Sequence, residues 1–129
     1  MKSTLIDAGP IIALFNKDDT YHKVVKDFLK TYKGTLITSW PVVTEASHML
    51  DFNVQVQIDL LIEEVKINDI DRIIALSEKY SDIPMDLADA SLVVLSEKLN
   101  IKEIISIDSD YYIYRTIEKE MIKNILEYE

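Results

Sequence analysis

The stretch "PMDLADASLVVLSEKL" places two aspartates, Asp86 and Asp89, at the start of a helical pattern in which Leu92, Leu95 and Leu99 recur. Two chemistries suit that spacing. The pair approximates a capping box, with Asp86 at the N-cap and Asp89 three residues on. Negative charge in a first turn also complements the helix dipole, by about 0.3–1 kcal/mol. Alternatively, the two carboxylates hold a cation. Three more acids bear on the choice: Asp7 after "STLI", Asp108 after "EIISI", and Glu45 in "PVVTEASHML". Glu45 could be a dipole-friendly acid of a first helical turn. Asp7 and Asp108 are harder to dismiss, because aspartate is disfavoured in strands and belongs in turns, yet each directly follows an apolar run.

Two carboxylates about 5 Å apart repel by about 3 kcal/mol at an effective dielectric of 20. Four converging carboxylates would therefore require protons or a cation. Mg²⁺ and Mn²⁺ accept such oxygen ligands together with substrate phosphate oxygens. Two ions about 3.5–4 Å apart can activate a water and stabilise the leaving oxygen of a phosphodiester. The chain offers little other chemistry: it has no GxSxG, P-loop or HExxH pattern and no cysteine. His22 and His48 are isolated in sequence and read as surface or packing residues. Tyr111, Tyr112 and Tyr114 form an aromatic cluster, either core or rim, with a base-stacking surface as the sharper alternative.

The elements that would position these acids alternate. "STLID" and "TLITS" read as buried strands, "EIISID" as another ending in acid, with "VKI" and "MIKNIL" as weaker candidates. Gly9 and Pro10 mark a turn into a helix. Helices are expected over about Thr20–Tyr32 with Thr20 as N-cap and Gly34 as terminator, from Pro41 to about Leu50, over Val54–Glu64, over Asp69–Tyr80, and over Asp86–Leu99. The last is expected to be an ordinary amphipathic helix. Strands alternating with helices imply a mostly parallel sheet covered on both faces, a three-layer α/β/α sandwich. Ligands of such sheets bind beyond the carboxyl ends of the strands. Asp7 and Asp108 would stand at that edge, as would Glu45 and Asp89 in the first turns of their helices.

The 129 residues, 48% of them apolar, suit a single domain spanning 1–129 with a real core and no linker or repeat. Absent cysteines are compatible with a reducing cytoplasm. Asp7 interrupts the apolar N-terminus, which has no small-residue cleavage site, and no run of 18 uncharged apolar residues suggests a membrane span. The formal net charge of −9 argues against indiscriminate nucleic-acid binding. Lys17, Lys23, Lys26, Lys30 and Lys33 nevertheless share one segment, most of them along one side of a helix. That side is either a solvated face or a phosphate-contact surface.

"LIDAGPIIALF", "PVVTEASHML" and "MDLADASLVVLSEKLNIKEIISIDSDYY" together resemble the PIN-domain ribonucleases, closest to the VapC-like toxin branch of toxin–antitoxin pairs. The resemblance covers nearly the whole chain in order and spacing. It implies a PIN-like α/β/α fold and a Mg²⁺- or Mn²⁺-dependent endoribonuclease with one or two ions. It also implies a homodimer and a small antitoxin partner. The family's metal-holding acids match Asp7, Glu45, Asp89 and Asp108, which would be the catalytic set. Asp86, Ser106 and Asp110 are auxiliary candidates, and Lys23 and Lys26 candidates for contact with the RNA backbone. Ser106 stands where the family usually has threonine, keeping the hydroxyl, and Ala8-Gly9 replaces the common hydroxyl or amide residues after the first aspartate. A non-cleaving PIN-like binding module is the alternative reading. A haloacid-dehalogenase-like phosphatase would need a second aspartate where Gly9 stands, and the order of acids does not suit a receiver domain.

Overall fold

The computed structural model describes residues 2–49, 60–63, 67–83, 85–107 and 109–126. Its strands are β1 (Ser3–Ile6), β2 (Thr35–Ser39), β3 (Leu60–Glu63), β4 (Glu103–Ile105) and β5 (Lys123–Asn124). Its helices are α1 (Ala8–Phe15), α2 (His22–Thr31), α3 (Trp40–Met49), α4 (Ile67–Lys79) and α5 (Leu87–Leu99). The strands form one sheet in the order β3-β2-β1-β4-β5, and every pairing is parallel. The chain starts in the middle, moves outward through β2 to β3, then returns to the other side of β1. Right-handed crossovers therefore put α1, α2 and α3 on one face and α4 and α5 on the other. This is the expected three-layer α/β/α sandwich.

Burial follows from that layering. Thr4, Leu5 and Ile6 of β1 are all buried, as a strand covered on both faces must be. They form one core with Ile37, Ile104 and Ile105 of the neighbouring strands, Ile11 of α1, and Leu92 and Leu95 of α5. Helix α5 is not the ordinary amphipathic helix expected: Ala88 through Ser96 are all buried. It lies against α3, α4 and β2 at once, so three sides need apolar or internally hydrogen-bonded residues. Ser91 and Ser96 meet that condition by donating to Ala88 O and Ile101 O.

Several local expectations shift. Gly9 and Pro10 lie inside α1, which begins immediately after Asp7. Helix α2 starts at His22, not near Thr20; its N-cap position is Tyr21, whose backbone N–H donates to Asp19 Oδ1 at 2.8 Å. Here the aspartate turn displaces the threonine cap. Leu60–Glu63 pairs with β2, so the helix expected over Val54–Glu64 fails there; residues 50–59 and 64 lie outside those described. The weak strand "VKI" also fails at Ile67, the first residue of α4. Short apolar runs have no periodicity that separates strand from helix. Gly34, three residues past α2, has φ +154° and would put a Cβ 2.5 Å from Lys2 O, which only glycine avoids.

Candidate active site

The strand order reverses at β1, with β2 and β3 on one side of it and β4 and β5 on the other. A crevice beyond the carboxyl ends of the strands is expected at such a point. Asp7 stands there because β1 ends at Ile6 and its own backbone N–H still pairs across the reversal, donating to Ile105 O at 3.0 Å. Its carboxylate is fixed from two sides. Oδ1 accepts from Ala8 N at 2.8 Å, capping α1, and Oδ2 accepts from the Ser106 hydroxyl at 3.1 Å. Asp7 is 6% exposed and Ser106 fully buried. Ser106 is held in turn by Asn124 of β5, which accepts from its N–H and donates to its carbonyl.

Asp89 reaches the same edge by a different route. The Asp86–Asp89 capping box is complete: Asp86 Oδ1 accepts from Asp89 N at 2.8 Å, and Asp89 Oδ2 accepts from Asp86 N at 3.3 Å. The capping reading of this pair holds, and the cap itself orients Asp89. Asp86 is exposed, whereas Asp89 is 5% exposed, and its Oδ1 accepts from the Tyr111 hydroxyl at 3.3 Å. The start of α5 is tied to the carboxyl end of β2 through Ser39 and Ser91, whose hydroxyl oxygens are 2.6 Å apart. Ser91 donates to Ala88 O, which leaves Ser39 as the donor of that pair. Ser39 also caps α3 by accepting from Val42 N.

Glu45 lies in the second turn of α3, not the first, and its side chain is exposed. Asp110 belongs to the short 3-10 turn Ser109–Tyr112 and is partly buried, its carbonyl accepting from Ile113 N and Tyr114 N. Asp108 lies outside the described residues. Among the described residues, no three acidic or histidine side chains converge as a metal cluster. The donors at the crevice are carboxylate oxygens oriented by hydroxyls and backbone N–H groups, the hard-oxygen chemistry that Mg²⁺ and Mn²⁺ accept.

Lys23, Lys26 and Lys30 are exposed on α2, opposite buried Val25, and Lys17 and Lys33 are exposed beyond its ends. His22 is structural, its Nδ1 lying 2.7 Å from Ala13 O, and His48 is exposed on α3. Tyr111 and Tyr114 are core residues, 1% and 0% exposed, which removes them as a stacking surface; the Tyr112 side chain lies outside the description. Sequence reasoning missed Ser39, Tyr111 and Asn124 as supports of the site. Tyr111 stood in a cluster already singled out, but its partner Asp89 is 22 residues away. Nothing local marks Asn124.

The fold is a parallel α/β domain with two buried acids, Asp7 and Asp89, following β1 and opening α5. Residues 4–117 match the family described as PIN domain, and the chain belongs to that family. No curated protein matches the chain. Its fold is similar to the crystal structure of Mycobacterium tuberculosis VapC20, described as a sarcin-ricin loop cleaving toxin. The TM-score is 0.78 at 16% identity, over 91% of this chain and 98% of that one.

Proposed function

We propose that the protein is a metal-dependent endoribonuclease that hydrolyses RNA phosphodiester bonds, the toxin component of a toxin–antitoxin pair. The observation that carries this reading is the pair of buried carboxylates, Asp7 and Asp89, held at the strand-order reversal of a PIN domain. The likeness to a toxin described as cleaving the sarcin-ricin loop supports it. The whole chain, 1–129, acts as one domain in the cytoplasm; no described helix is long and apolar enough to cross a membrane. It works as a homodimer restrained by a small antitoxin.

Asp7, Glu45, Asp89 and Asp108 are the catalytic, metal-holding set in this proposal. Mg²⁺ or Mn²⁺, one ion or two, would supply positive charge against the scissile phosphate and its transition state. The chain's own residues preorganise the acids. Ser106 fixes the Asp7 carboxylate, while the Asp86 backbone and Tyr111 fix that of Asp89. Asp86 caps α5 and tunes its neighbour Asp89, and Asp110 assists from the rim. Lys23 and Lys26 meet the RNA backbone.

The test is cleavage of a structured RNA pool by purified protein with Mg²⁺ or Mn²⁺, with EDTA and Asp89→Asn as parallel controls. Cutting that both controls abolish is the expected result. Metal binding and RNA binding without cutting would instead identify a non-cleaving PIN-like module. Neither binding nor cutting would reduce the acids to helix caps and end the proposal.

A further inference from the structure

Trp40 is the single tryptophan of the chain. It is 53% exposed, and among the described residues it is the one exposed aromatic side chain. Leaving an indole in water forgoes a large burial gain, so its location matters. Helix α3 begins at Trp40 with no loop after β2. The β1–β2 register pairs Leu5 with Ile37; two residues on, Asp7 stands level with Ser39, and Trp40 is the next residue. Trp40 thus opens α3 at the sheet edge where β1 hands over to Asp7. On the other side, Ser39 bonds to Ser91 of α5. One turn before Ser91 stands Leu87, at 58% exposure, and Asp89 lies between. The sheet edge that carries the buried acids therefore also carries the residues of an exposed indole and an exposed leucine.

We propose that Trp40 is a substrate-positioning residue, a platform on which an unpaired base next to the scissile phosphate stacks. This rests on the ribonuclease reading above. The charge of the chain favours it. A protein of net charge −9 repels phosphates over most of its surface, so beyond the lysines of α2 its affinity needs a contribution that is not ionic. A stacked base contributes through a neutral π-face, tolerates any base identity, and gains nothing from counterion release. Leu87 supplies an apolar wall on the far side of Asp89, where a second base or the edge of the first excludes water.

The fluorescence of the lone tryptophan reads this directly. Unstructured RNA of about ten nucleotides is titrated into the full-length protein in EDTA, where the expected nuclease is silent. An abasic chain of the same length is the control. Binding of the same RNA, fluorescently labelled, is followed by anisotropy for wild type, Trp40→Ala and Trp40→Phe across a salt series. RNA should quench Trp40 and the abasic chain should not. Trp40→Ala should weaken RNA binding about 5- to 150-fold at every salt concentration with an unchanged salt slope, and Trp40→Phe should recover most of the loss. With Mg²⁺, the alanine variant should raise KM more than it lowers kcat.

RNA that binds equally well to Trp40→Ala and leaves wild-type emission unchanged would overturn the stacking role while leaving the nuclease intact. So would cleavage with unaltered KM in Trp40→Ala. Emission that shifts with protein concentration and ignores RNA would assign Trp40 to a contact between copies of this chain, which also overturns the proposal. Absence of RNA binding and cleavage by wild type under any condition would overturn both readings together.

Discussion

Asp7 and Asp89 are carboxylates held almost out of water, where a charged group costs free energy that only ideal partners offset. Their bonds to Ala8 N, Ser106, Asp86 N and Tyr111 orient them but bring no positive charge. In the proposed function such a site takes a cation, and its acids lower metal-free stability. An amide at either position keeps the N–H acceptor and turns its NH₂ toward a serine or tyrosine hydroxyl that can accept. Asp7→Asn and Asp89→Asn are therefore expected to raise the Tm in EDTA by about 3–8 °C, for a gain of about 1–2 kcal/mol. Added Mg²⁺ should then raise the Tm of wild type more than that of either variant. Thermal melts in EDTA check this, and a Tm at or below wild type in both variants would count against a crowded acidic site.

At the scale of elements, the outer sheet edge supports the crevice. β5 has two residues, and its ladder to β4 is lengthened by a side chain. Asn124 Oδ1 accepts from Ser106 N at 3.2 Å and Leu126 N at 3.1 Å, while Nδ2 donates to Ser106 O at 2.7 Å. The amide thus completes the strand pairing just where β4 presents Ser106 to Asp7. Asn124→Ala leaves the buried N–H and carbonyl of Ser106 without these bonds, at an expected cost of about 2–4 kcal/mol. Urea unfolding measures it, and Asn124→Asp, which sets a carboxylate oxygen against the Ser106 carbonyl, should not restore the loss. A loss below about 0.5 kcal/mol for alanine would mean that β4 is held by other contacts.

Across the whole molecule, two ion pairs join α4 to α5, Lys98–Asp69 and Arg72–Glu97, and the second also holds the C-terminal segment. Arg72 donates from Nε to Glu97 Oε1 at 2.9 Å and from Nη2 to Oε2 at 2.7 Å. Ile117 N donates to the same Oε2 at 2.6 Å. Hydrogen bonding to Glu97 raises the Arg72 guanidinium above its ordinary value. A cation raised in the fold stabilises fully below its unfolded value, so the Arg72 contribution is present at neutral pH and fades only as pH rises into the guanidinium range. The edge-to-face rings of Tyr80, Tyr114 and Tyr111 run from the end of α4 to the hydroxyl that holds Asp89. Glu97→Ala is expected to cost about 2–3 kcal/mol, less than a fully buried pair because both side chains are partly exposed. It should also make residues 113–121 the earliest site of limited proteolysis. Unchanged stability and an unchanged first cleavage site would assign the joint to apolar packing instead.

The sequence by itself determined the alternation of strands and helices, because periodicity and turn chemistry act over a few residues. β2 at Thr35–Ser39 and the Asp86 cap were legible for that reason. It also marked Asp7 as an acid where an apolar strand ends, and the PIN-like arrangement follows from the order of such motifs. Only the tertiary structure decided what depends on distant segments meeting. Strand order brings Ser106 to Asp7 across 99 residues. Three-sided contact makes α5 a buried helix rather than an amphipathic one. Packing puts Tyr111 inside and leaves Trp40 outside, which settles for Tyr111 the choice between core and rim that its sequence context left open. Local chemistry fixes which groups a residue can offer; the surfaces that cover it fix whether a ligand can reach them.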